Sequence, residues 1–82
     1  MSSFDENELK IYPNPVRAVL KIETTTDVLK TIDVYDISGK IMLKDASNQR
    51  VIELNTSKLP NGIYFVKVTT DAKSGYFKVV KE

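Results

Sequence analysis

Leu59-Pro60-Asn61-Gly62-Ile63-Tyr64-Phe65-Val66-Lys67-Val68-Thr69 decides the fold. Pro60-Asn61-Gly62 spells a turn: proline fixes φ, while asparagine and glycine accept the backbone angles that reverse a chain. Beyond Gly62 the chain alternates. Tyr64, Val66 and Val68 fall on one face of an extended strand, since successive side chains point to opposite sides. Ile63 and Phe65 occupy the other face, which places the strand Gly62–Thr69 at the centre of a sheet. The same period of two recurs on both sides of this segment. Upstream it gives strands at Leu9–Tyr12, at Val19–Glu23 with Leu20 and Ile22 inward, and at Thr31–Tyr35 with Ile32 and Val34 inward. Lys40–Lys44 buries Ile41 and Leu43, and Val51–Asn55 buries Ile52 and Leu54. Downstream, Tyr76–Val80 closes the chain with Phe77 and Val79 inward. Turn residues separate the strands: Pro13-Asn14-Pro15, Thr24 to Asp27, Asp36-Ile37-Ser38-Gly39, Asp45 to Gln49 and Asp71 to Gly75. Gly39 supplies the positive φ of a tight hairpin turn. Helical periodicity is not found over any long stretch. Seven short strands at a spacing of roughly 8–12 residues predict an all-β antiparallel sandwich.

Tyr64 sharpens the prediction. Immunoglobulin-like sandwiches carry a tyrosine near the start of a long strand, its hydroxyl bonded to backbone a few residues upstream. The carbonyls of Leu59 to Asn61 are the available acceptors. A Pro-Asn-Gly turn followed by an ordinary core tyrosine gives the same sequence.

Composition excludes several classes of function. The chain has 82 residues, enough for one small domain and no second core. It contains no cysteine and no histidine, so disulfides, thiolate nucleophiles, imidazole bases and Cys/His metal sites are all ruled out. Packing alone must hold the fold. A formal charge of +1 with interspersed signs shows no footprint for nucleic acid. The longest apolar run, Ile63 to Val66, is far too short to span a bilayer, so no direct membrane insertion is expected. Met1-Ser2-Ser3 has neither the basic start nor the apolar run of a signal peptide, so any export address lies outside these residues.

Chemistry-bearing constellations are sparse. Ser38, Ser57 and Ser74 sit in turns where, without histidine, only carboxylates or lysines could activate them, and there is no nucleophile elbow, phosphate-binding loop or dinucleotide fingerprint. No catalytic residue, cofactor site or metal site is expected. The carboxylates of Asp5, Glu6 and Glu8, and of Asp33 and Asp36, match no calcium loop and read as solvated turn groups. Carbohydrate binding favours exposed aromatic platforms; the chain lacks Trp, although Tyr35, Phe65 and Tyr76 can face outward. Lys73, Lys78 and Lys81 read as a solvated strand edge that resists aggregation.

Four segments in fixed order carry a resemblance: Tyr12-Pro13-Asn14-Pro15, Val34-Tyr35-Asp36-Ile37-Ser38-Gly39-Lys40, Leu59-Pro60-Asn61-Gly62-Ile63-Tyr64 and Lys78-Val79-Val80-Lys81. Each alone is a generic turn or strand end. Together they resemble the type A C-terminal sorting domain of the type IX (Por) secretion system, over Leu9 to Glu82. The resemblance implies an immunoglobulin-like sandwich ending a larger exported protein. It implies a non-catalytic signal read by the outer-membrane translocon after transit through the periplasm. A sortase-like peptidase then removes it at the cell surface, leaving the N-terminal passenger on the surface or in the medium. Residues 1–8 would be a linker or the remnant of a cut, and 9–82 the sorting domain. Among the matched positions, Pro13, Asn14, Pro15, Gly39, Leu59, Gly62 and Tyr64 have structural reasons for being there. Lys40, Lys78, Val79, Val80 and Lys81 are the expected recognition residues, on the premise that these lysines are exposed and that an unpaired last strand can add to a partner's sheet. Weak self-association through the edge strands is a further expectation. Two alternatives come from other classes: a carbohydrate- or cell-surface-binding sandwich, and a passive spacer of fibronectin or immunoglobulin type.

Overall fold

The computed structural model describes Phe4 and residues 8–82. Seven strands follow one another: β1 (Leu9–Tyr12), β2 (Val19–Thr24), β3 (Lys30–Asp36), β4 (Ile41–Ser47), β5 (Val51–Asn55), β6 (Gly62–Thr69) and β7 (Ser74–Lys81). They form a three-stranded sheet, β1-β2-β5, and a four-stranded sheet, β4-β3-β6-β7, with every strand pair antiparallel. β6 lies between β3 and β7, the central place expected for it.

The two sheets close on one another. Leu20, Ile22, Ile52 and Leu54 from the smaller sheet meet Ile32, Val34, Tyr64, Val66, Val68 and Val79 from the larger. Each such side chain contributes about 1.5–3 kcal/mol when fully buried, and with no disulfide available this layer is the dominant favourable term. The alternating pattern of β5 and β6 puts the expected residues inside.

β4 departs from the expected pattern. Register runs Val34 to Leu43 and then Tyr35 to Ile41, so Met42 has no partner and the strand carries a bulge. A bulge reverses which face the next residue joins. Ile41, expected in the core, stands on the outer face opposite Tyr35 and is 43% exposed. Met42 and Leu43 pack against the core instead. β4 also continues through Asp45 to Ser47, because backbone pairing with Lys30–Ile32 does not require apolar side chains.

β3 begins one residue earlier than expected, at a buried lysine. Lys30 is fully enclosed, and its ammonium donates to the Thr26 carbonyl at 2.9 Å and the Val28 carbonyl at 2.7 Å. Its methylene stem counts as apolar burial while its head fastens the β2–β3 loop. Burial pushes its pKa below the ordinary lysine value, opposed by nearby Asp27.

Two glycines serve turns. Gly39 has φ +89° and Gly62 has φ +154°, angles that a side chain disfavours. Below Gly62 the Tyr64 hydroxyl donates to the Pro60 carbonyl at 2.6 Å, which is the tyrosine corner of this class of sandwich.

Candidate recognition site

The segment after β1 crosses to the far end of the other sheet. Pro13 and Pro15 lack N–H groups and cannot extend the β1 ladder, so the chain leaves the small sheet at Tyr12. The Tyr12–Pro13 and Asn14–Pro15 peptide bonds are both cis. Between them Asn14 reaches β7. Its Nδ2 donates to the Lys78 carbonyl at 3.2 Å, and its Oδ1 accepts from the Val80 N–H at 3.0 Å. One amide side chain therefore meets the outward donor and acceptor of an edge strand, as a neighbouring strand would.

Val16 continues that contact. Its N–H donates to the Val80 carbonyl and its carbonyl accepts from the Glu82 N–H, both at 2.8 Å, forming an isolated parallel bridge with Lys81. The Ala18 carbonyl then accepts from both the backbone N–H and the hydroxyl of Thr56, at 2.7 and 2.9 Å, which fixes the segment to the end of β5. Val16 itself is 1% exposed. The outer edge of β7 is thus covered from Lys78 to Glu82. The expectation of an unpaired last strand is corrected here: the strand is terminal in its sheet, yet its C-terminal half already has partners.

The expected recognition residues separate by face. Continuing the alternation of β7 puts Phe77, Val79 and Lys81 toward the core, with Tyr76, Lys78 and Val80 outward. Lys78 is exposed and Val80 half-buried, whereas Val79 is buried. Lys81 is only 6% exposed, its stem lining the same small void as Val16, Leu20, Leu59 and Tyr64. Its ammonium donates to the Glu82 carbonyl. The premise that Lys81 is an exposed lysine therefore fails, and its place has a packing explanation. Lys73 is not freely solvated either, since it forms an ion pair with Glu8. Asp5 and Glu6, read as solvated carboxylates, lie outside the described residues. No cluster of three candidate metal ligands occurs among the described residues.

Lys40 is exposed and follows a turn built around one carboxylate. Asp36 Oδ1 accepts from the Ser38 N–H at 2.9 Å, the Ser38 hydroxyl at 2.6 Å and the Lys40 N–H at 3.0 Å. The Ser38 hydroxyl first, and the Lys40 amide next, hold the Asp36 carboxyl below the usual carboxylate range. Asn55 repeats the device, accepting from the N–H and hydroxyl of Ser57 at 3.0 and 2.6 Å.

The arrangement holds a shape and presents side chains, and its hydroxyl–carboxylate pair, Ser38 with Asp36, is built into the turn itself. Its four motif segments, apart in sequence, close one end of one sandwich. The comparisons with known proteins agree with that picture. A family model described as "Secretion system C-terminal sorting domain" matches residues 10–82. The chain belongs to this family. Membership makes the domain a type IX C-terminal sorting signal, the mark of a protein exported to the cell surface or beyond it.

Two similar proteins place the sorting domain in context. An endo-acting ulvan lyase of Formosa agariphila is 27% identical over 82 aligned positions, covering 93% of this chain and 16% of that protein. Among solved structures, PorZ, an essential surface component of the type IX secretion system of Porphyromonas gingivalis, superposes with a TM-score of 0.75. That match has 19% identity and covers 90% of this chain and 11% of PorZ, so it speaks to the fold alone. The sorting domain spans less than a fifth of either relative.

Proposed function

We propose that this domain is a non-catalytic signal that the type IX outer-membrane translocon recognises on a passenger lying N-terminal to it. In this reading the protein crosses the periplasm, a sortase-like peptidase removes the domain at the surface, and residues 1–8 belong to the connection ahead of it. The family match over residues 10–82 carries the proposal. The small fraction of the ulvan lyase that aligns is consistent with a tail on a larger chain. Exposed Lys40 and Lys78 are the recognition lysines. Val79 and Lys81 contribute by holding β7 in place, and Val80 by receiving the clamp.

The test is a fluorescent reporter bearing a signal peptide, fused ahead of residues 9–82 in a bacterium with a working type IX system. Surface or medium fluorescence is the expected result, reduced by Lys78→Ala or Lys40→Ala with the domain still folded. A folded fusion held in the periplasm would overturn the proposal. Deleting Lys78 to Glu82 is a poor test, because it removes two buried residues together with any contact surface.

One observation supports a second reading, a carbohydrate-binding sandwich. Tyr35, Phe65 and Tyr76 stand on one outer face, where Tyr35 and Phe65 are paired across strands. Saturable binding of a glycan by the domain, lost in Phe65→Ala, would favour it; no binding across a glycan panel would remove it.

A further inference from the structure

The two sheets turn very different faces outward. On the three-stranded sheet the exposed Tyr12, Val19 and Val51 are interleaved with charges, and cross-strand register sets Lys10 against Glu23 and Lys21 against Glu53, so charges there are matched and break up the apolar groups. That is an ordinary solvated surface. On the four-stranded sheet, an apolar band crosses the strands. Ile41, Tyr35 and Phe65 lie in one cross-strand row, with Ile63 beside Phe65 on the same face. Tyr76, 63% exposed, and Ile37, 77% exposed in the adjoining turn, complete the band. Tyr35 is half-buried and the other five are exposed, none of the six belongs to the buried core, and contiguous exposed apolar groups on one face mark an interaction surface.

Charge around the band is one-sided. Asp33 is set between Lys44 and Lys67 by register, one carboxylate for two lysines. Lys67 Nζ also lies 5.5 Å from the Tyr76 ring centroid. Lys78 ends the row of Ile41, Tyr35 and Phe65, and forms no ion pair among the described residues. Lys40 projects from the turn beside Gly39, while the Asp36 carboxylate is taken up by its own turn. Meanwhile the Asn14 and Val16 contacts occupy the edge of β7 from Lys78 onward, so that stretch of edge is closed to strand addition.

Resting on the sorting-signal reading, we propose that this outer face is the docking surface, and that it takes a folded protein whose apolar side chains project from a carboxylate-rich surround. Such a partner fills the aromatic band and neutralises the lysines at its rim. A second copy of the domain is the poorer occupant, since face-to-face pairing sets the lysine excess against itself.

The experiment uses the reporter fusion with three double variants: Phe65→Ser with Tyr76→Ser, Lys67→Glu with Lys78→Glu, and Val19→Thr with Val51→Thr on the opposite sheet. Thermal melts of each variant accompany the export measurement. The expected result is an export loss of about tenfold or more for the aromatic pair, the size of effect that an interface anchor carries. A clear loss is also expected for the charge-reversed pair while its melt stays above the assay temperature, since Lys67→Glu sets a second carboxylate opposite Asp33 and costs some stability. None is expected for the opposite-sheet pair. Wild-type export with undiminished export of folded aromatic and charge variants would overturn the docking face while leaving the sorting reading intact. Failure of the wild-type fusion itself would overturn the sorting reading. Export that survives charge reversal but not aromatic loss would overturn the acidic partner and point to a neutral ligand such as a glycan.

Discussion

The Tyr64 hydroxyl and the Asp36 carboxylate hold the two turns beside the proposed docking face, and each makes a distinct prediction. Tyr64 is buried and bonds the Pro60 carbonyl, while Pro60 itself is exposed and can be rehydrated. Tyr64→Phe should therefore cost about 1 kcal/mol, the net worth of one hydrogen bond. A denaturant titration should show a lower midpoint with an unchanged slope. Asp36 concerns pH. Its folded pKa lies below the ordinary value of 3.8, so its contribution to stability is complete above that value and is lost as pH falls toward the folded pKa. Asp36→Asn should thus be less stable than wild type near neutrality, with the gap closing in acid; a constant gap across acid melts would contradict this. Legibility differs residue by residue. Tyr64 was readable because a turn, an alternating strand and an upstream carbonyl agree. The inward position of Lys81 was also implied by alternation from Val79, but its charge argued for solvent. A long methylene stem resolves that conflict, since it can line a core void while the ammonium reaches a carbonyl at the rim.

The clamp on β7 belongs to the scale of elements. Asn14 replaces a neighbouring strand at one donor and one acceptor, and Val16 supplies two backbone bonds beyond it. Exposed edges invite pairing with other chains, so this cover works against aggregation. Asn14→Ala should remove about 1 kcal/mol of stability and speed hydrogen exchange at the Val80 amide. It should also raise self-association through β7, read by light scattering at rising concentration; a variant as monomeric as wild type would contradict an edge-protecting role. The clamp was only half legible. Two prolines around an asparagine announce the end of β1, yet the partner of that asparagine is 66 positions away and no local pattern records it. The β4 bulge was hidden for a similar reason: Ile41, Met42 and Leu43 are all apolar, so either register satisfies the sequence and the fit to β3 decides.

For the molecule as a whole, the last strand is part of the core rather than an appendage. Removing Lys78 to Glu82 takes away Val79, about 1.5–2 kcal/mol of burial, and several hydrogen bonds at about 1 kcal/mol each. A domain of this size has on the order of 4–12 kcal/mol in total, so the loss is comparable with the whole. The truncated chain should lack a cooperative thermal transition by circular dichroism; a sharp melt would show that the strand is dispensable. Fold class was legible at this scale because seven alternations, taken together, admit few arrangements. The docking face was not, because whether Tyr35, Phe65 and Tyr76 share a surface depends on pairings between strands distant in sequence. The contact between Val16 and the final residues has one more consequence, for synthesis. Strands emerge from the ribosome in order, and the pairing that finishes the sandwich must wait until Glu82 has cleared the exit tunnel. A chain released before β7 is made would therefore present no finished sandwich.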